Sequence, residues 1–162
     1  FGRNTRAFFD RPWQVLGTAG VGMAAFYGLN ELVCRILGLL NAGQVNLNDQ
    51  AILTRLGTSP RSTILMVVFL APVVEEALFR GYVFGNLREY SRGAAYLVSC
   101  LFFAMVHVWP FFAESWDVGC LMVMGQYLVP GAVMAWTYER SGSLWGSVLL
   151  HCAVNGLAVW GA

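Results

Sequence analysis

Two adjacent carboxylates and an arginine, Glu75, Glu76 and Arg80, stand inside a run otherwise apolar enough to cross a bilayer. Ionisable side chains at such depth cost about 2.5–3.5 kcal/mol each even on insertion scales. They persist where they pair, line a water-filled cavity or perform chemistry. On a helix advancing about 100° per residue, Glu76 and Arg80 lie ~40° apart, whereas Glu75 and Arg80 lie ~140° apart. Glu76 is therefore expected to pair with Arg80, leaving Glu75 on another face with no local partner and free to exchange a proton. The competing reading is a structural ion-pair cluster between helices.

Further along the chain Phe103-x-x-x-His107, an aromatic and a histidine, and His151-x-x-x-Asn155, two polar groups, stand at i,i+4, so each pair shares a helix face. Counted from the nearest turn at ~1.5 Å per residue, Glu75, His107 and Asn155 reach depths of ~18–21 Å and His151 ~12 Å. Three helices thus deliver their polar groups to similar levels. Taken singly, a membrane His or Asn is commonly an interhelical hydrogen bond. Taken together they supply the parts for water-mediated amide hydrolysis: a carboxylate to take a proton, an imidazole to orient water, and donors for an oxyanion. Ser143 and Ser147 lack a Gly-x-Ser-x-Gly context, Cys152 points about 100° from His151, and there is no lysine for Schiff-base chemistry. HExxH is absent, yet Glu75, His107 and His151 match a zinc site of two histidines and a glutamate, so a zinc-dependent version stays open beside the cofactor-free one.

The elements that must position these groups are transmembrane helices. Of 162 residues 57% are hydrophobic and 12% charged, and the mean hydropathy is +0.59, the composition of an integral membrane protein. A net charge of +1 gives no basic surface for nucleic acid. Cys34, Cys100, Cys120 and Cys152 form no CxxC, and neither a disulfide framework nor a cysteine metal site is expected. The fold class is all-α: a multi-pass bundle of about five spans with a polar catalytic cavity within the membrane, one domain over residues 1–162.

The spans are expected at residues 13–29 (running on to about 40), 62–90, 93–109, 118–138 and 144–160. A kink is expected at Pro72 and Gly81, and a short helix capped by Asn48 or Asp49 within the polar connection 41–61. A second connection, 110–117, is aromatic and carries Glu114 and Asp117. Arg3, Arg6, Arg11, Arg88, Arg92 and Arg140 flank the same side, which places the N-terminus in the cytoplasm. Gly20, Ala24 and Gly28 form a small-residue face suited to close helix packing, and Glu31 and Arg35 an end-of-span ion pair. A first residue Phe1 in place of Met suggests a processed or trimmed chain.

With these residues in view, the chain resembles the CAAX-protease and bacteriocin-processing (CPBP, or Abi) family of intramembrane endopeptidases. Glu75-Glu76-x-x-x-Arg80 is similar to its EExxxR motif, Phe103-x-x-x-His107 to its FxxxH, and His151-x-x-x-Asn155 to its HxxxN, the last led in by Gly142-Ser143-Leu144-Trp145. The resemblance covers residues 62–160. It implies a glutamate-type intramembrane protease in which Glu75 and His107 activate water, His151 and Asn155 stabilise the oxyanion, and Glu76 and Arg80 are structural or substrate-positioning. Its implied partners are the lipid bilayer and a membrane-embedded or lipidated protein or peptide substrate. The alternative is a non-catalytic membrane immunity or scaffold protein of the same fold.

Overall fold

The computed structural model describes residues 2–39, 46–112 and 118–161, and among them the structure is helical with no strand. Seven helices follow in order: α1 (Gly2–Asp10), α2 (Pro12–Leu39), α3 (Leu47–Thr58), α4 (Pro60–Leu87), α5 (Arg92–Phe112), α6 (Val118–Ser141) and α7 (Leu144–Trp160). The five long helices correspond to the five expected spans. Of these, α4 and the stretch Arg92–Pro110 of α5 are long and apolar enough to cross a membrane, and α7 is apolar but shorter. Glu114 and Asp117 lie outside the described residues.

One core joins the long helices: Phe26 of α2, Phe79 of α4, Phe103 of α5, Val133 and Met134 of α6, and Leu150 and Val154 of α7. The outside is also apolar, with Phe69, Val74, Leu78, Leu97 and Phe102 exposed. Glu76 and Arg80, by contrast, are 0% exposed. A bundle with charges at its centre and large apolar side chains on its surface is arranged for lipid.

The close approach of α2 to its neighbours falls at Gly22, where a Cβ would meet Thr137 Oγ1 at 2.6 Å and Leu150 Cδ2 at 2.8 Å. The expected small-residue face is thereby corrected: Gly20, Ala24 and Gly28 are exposed, and α2 packs through Val15, Gly22 and Phe26. Sequence spacing marked a stripe of small residues, but the bulk of the opposing side chains chose the neighbouring face. Glu31 and Arg35 do pair, at 2.7 Å, and are exposed.

Residues 2–10, expected only as a basic flank, form α1 and dock on the start of α7. Asn4 Oδ1 accepts from the Leu144 amide (3.0 Å), the Asn4 carbonyl accepts from Ser143 Oγ (2.8 Å), and Trp145 Nε1 donates to Thr5 Oγ1 (3.0 Å). Ser143 itself caps α7, accepting from the Trp145 amide. The preceding turn requires a left-handed residue, supplied by Gly142 at φ 67°. Helix α3 is capped not by Asn48 or Asp49 but by Asn46, two or three residues earlier, through bonds from the Asn48 and Asp49 amides.

Two stretches of α4, Leu65–Leu70 and Ala77–Phe84, run in wide π-type turns on either side of Ala71–Glu76. Of the two positions expected to kink the helix, Gly81 lies within the second widened stretch and Pro72 in the regular stretch between the two. Such widened turns loosen the backbone hydrogen-bond ladder and concentrate at functional sites.

Candidate active site

The pairing inferred from helical angles is present. Arg80 Nη1 donates to Glu76 Oε1 at 3.0 Å, with both side chains fully buried. Arg80 Nη2 also donates to the Gly131 carbonyl of α6 at 2.9 Å, and its guanidinium lies 4.5 Å from the Phe103 ring centroid. The planar fork of arginine makes these three contacts at once, which a lysine ammonium cannot.

Glu76 Oε1 also accepts from His151 Nδ1 at 2.9 Å. Because this oxygen belongs to a carboxylate held by Arg80, Nδ1 carries the proton. His151 Nε2 is then turned toward Glu75 Oε2, 3.9 Å away. On α5, His107 Nδ1 lies 2.8 Å from the Phe103 carbonyl, which can only accept, so that nitrogen is also protonated. His107 Nε2 faces Glu75 Oε2 at 3.7 Å. The His107 ring is held between Phe103 (centroids 4.5 Å apart) and Tyr127 of α6 (4.5 Å, stacked at 26°).

Three lone-pair-bearing atoms, Glu75 Oε2, His107 Nε2 and His151 Nε2, therefore converge from three helices. Glu75 Oε2 is buried and has no hydrogen-bond partner among the described residues. Separations of 3.7 and 3.9 Å exceed direct hydrogen bonds and suit a bridging water. Among the described residues no group of three or more His, Cys, Asp or Glu side chains is arranged to hold a metal ion.

Asn155, one turn beyond His151, has one amide N–H committed: Nδ2 donates to the Val67 carbonyl of α4 at 2.8 Å. The sequence-derived residues Glu75, His107, His151 and Asn155 all line one cavity of about 1080 Å³. Ser147 is buried and donates to the Leu144 carbonyl.

Tyr127 was not singled out by sequence reasoning. Its hydroxyl donates to Asn46 Oδ1 and accepts from Asn48 Nδ2, each at 3.1 Å, so it ties α3 to the His107 stack. A tyrosine in an apolar helix carries no spacing signal that would distinguish it.

Residues 57–157 match the family model described as type II CAAX prenyl endopeptidase Rce1-like. This chain belongs to the Rce1-like CAAX endopeptidase family. The matched stretch contains all three motifs. Among curated proteins it is similar to "UPF0177 protein YxdF" of Lactococcus lactis, with 30% identity over 53% of this chain and 42% of that protein. It is also similar to "Putative membrane peptidase YdiL" of Bacillus subtilis, with 29% identity over 72% of this chain and 43% of that protein. The chain spans less than half the length of these relatives. No solved structure matches it. Family and apolar bundle together make this a membrane protein of the CAAX-protease type.

Proposed function

We propose that the chain is an intramembrane endopeptidase that hydrolyses a peptide bond near the terminus of a lipidated or membrane-embedded protein, using water activated by Glu75 and His107. The observation that carries this reading is the convergence of Glu75 Oε2 with His107 Nε2 and His151 Nε2. Glu75 takes a proton from water as its oxygen bonds to the substrate carbonyl carbon. The carbonyl electrons move to oxygen, and their return expels the amine, which takes up the proton. Water and peptide thereby give one carboxylate-bearing and one amine-bearing product.

The oxyanion is met by Asn155 and His151. With Nδ1 committed to Glu76, His151 donates to the oxyanion from Nε2 only when that nitrogen also carries a proton. Asn155 has a second N–H beyond the one given to Val67.

For substrate, the family description supports a prenylated CAAX-type terminus. The cavity is lined in part by the apolar side chains of Phe26, Ile52, Leu53 and Leu56, which suit an apolar group. In this reading the helices α2, α4, α5, α6 and α7 cross the membrane, the N-terminus is cytoplasmic and no cofactor takes part.

The test uses purified protein in detergent micelles with an internally quenched, farnesylated CAAX peptide and its unprenylated counterpart. Cleavage of the farnesylated peptide, lost in Glu75→Gln, supports the proposal. Failure of the folded protein to cleave either peptide overturns this substrate assignment.

A further inference from the structure

The Val67 carbonyl is an orphan of the fold, and its origin is Pro72. In the widened turn Leu65–Leu70 the backbone bonds run from residue i to i−5, as the Ala71 amide to the Met66 carbonyl demonstrates. The next donor in that register is residue 72, five beyond Val67. It is a proline and has no N–H. A carbonyl left unpaired inside an apolar bundle must find a donor from elsewhere. Asn155 Nδ2, reaching across from α7, is that donor at 2.8 Å. Within α4's other widened turn the Phe79 carbonyl is likewise met from outside, by Ser99 Oγ of α5 at 3.0 Å.

We propose that Pro72 is a positioning residue of the active site: by freeing the Val67 carbonyl it creates the anchor that orients the Asn155 amide. A primary amide has two N–H groups in one plane at fixed angles. Pinning one to Val67 fixes the direction of the other. The same bond joins α7, which carries His151, to α4 at Val67, eight residues before Glu75. An alanine at position 72 would supply its own N–H to Val67, and the carbonyl would then have less need of Asn155. This inference rests on the proposed oxyanion role of Asn155 for its kinetic part alone. The Pro72 and Asn155 pairing stands on the backbone geometry.

The experiment is a double-mutant cycle of Pro72→Ala and Asn155→Ala, read by thermal unfolding in detergent and by kcat and KM on the farnesylated, quenched CAAX peptide. In the thermal readout, Asn155→Ala is expected to lower Tm in the wild-type background and to lower it much less when combined with Pro72→Ala. If Asn155→Ala folds only in combination with Pro72→Ala, the same coupling is seen in its extreme form. Equal Tm losses in both backgrounds overturn the pairing. In the kinetic readout, Pro72→Ala is expected to lower kcat on the order of 10-fold with KM little changed, as misorientation of one group does. Added to Asn155→Ala it should lower kcat no further. An equal kcat loss from Pro72→Ala in both backgrounds overturns the positioning role. If Asn155→Ala leaves kcat unchanged, the oxyanion reading fails and the positioning role with it, while the thermal cycle still decides the pairing.

Discussion

Glu75 and Glu76 are neighbours in the chain and face opposite nitrogens of a single imidazole: Glu76 Oε1 lies 2.9 Å from His151 Nδ1, and Glu75 Oε2 lies 3.9 Å from His151 Nε2. Adjacent residues on a helix point about 100° apart, so the ring of His151 fits between the two side chains. Glu76 is thereby tied to Arg80 and to the histidine. Glu75 stays loose at the cavity.

The two carboxylates should consequently fail in different ways. Glu75→Gln is expected to abolish peptide cleavage while the protein stays folded and inserted. Glu76→Gln leaves Arg80 buried with its counter-charge gone, which for such pairs costs about 3–5 kcal/mol. Thermal unfolding and peptide cleavage measured on both variants check this. A Glu75→Gln enzyme that cleaves at the wild-type rate would show the assignment to be wrong.

How much of this was legible beforehand depends on the range of the forces involved. The Glu76 and Arg80 pair is local, and a 40° angle was enough to foresee it. The long helices were legible from hydropathy, and turn counting brought Glu75, His107 and Asn155 to one level with His151 a turn shallower. What could not be read was which face each helix turns inward, because that depends on the partner's bulk: α2 packs through Gly22 and not through Gly20, Ala24 and Gly28. The ring proton of His151 was equally hidden. Its position is fixed by a carboxylate 75 residues away. The widened turns of α4 left a trace in Pro72, but a proline alone tells neither the width of a turn nor which side chain will serve the carbonyl it frees.

Arg80→Lys should expose the difference between a charge and a fork. A lysine can still meet Glu76, but its ammonium cannot also reach the Gly131 carbonyl and cover Phe103 with the same plane. Loss of one charge-assisted hydrogen bond costs about 1.5–3 kcal/mol. The expected result is a lowered Tm with cleavage retained in the folded fraction, checked by thermal unfolding alongside activity.

The choice between activated water and zinc is open to direct measurement. Chelator-washed protein, analysed for metal, is expected to retain full cleavage of the peptide. Activity lost on chelation and restored specifically by zinc would instead make Glu75, His107 and His151 a ligand set.

Tyr127 links two regions that sequence alone gives no reason to connect. Its hydroxyl holds Asn46 and Asn48 at the start of α3, and its ring lies against His107. Tyr127→Phe removes both hydrogen bonds, each contributing about 0.5–1.5 kcal/mol, and keeps the stack. Helix α3 should then part from the bundle more often, since Asn46 also caps it and is itself held by Tyr127. Arg55 on α3 is exposed and offers a trypsin site. Cleavage after Arg55 is expected to accelerate in Tyr127→Phe with kcat little changed. Tyr127→Leu loses the stack as well, so His107 is held on one side only and kcat should fall. Unchanged trypsin sensitivity in Tyr127→Phe would separate α3 from Tyr127, and unchanged kcat in Tyr127→Leu would separate Tyr127 from His107.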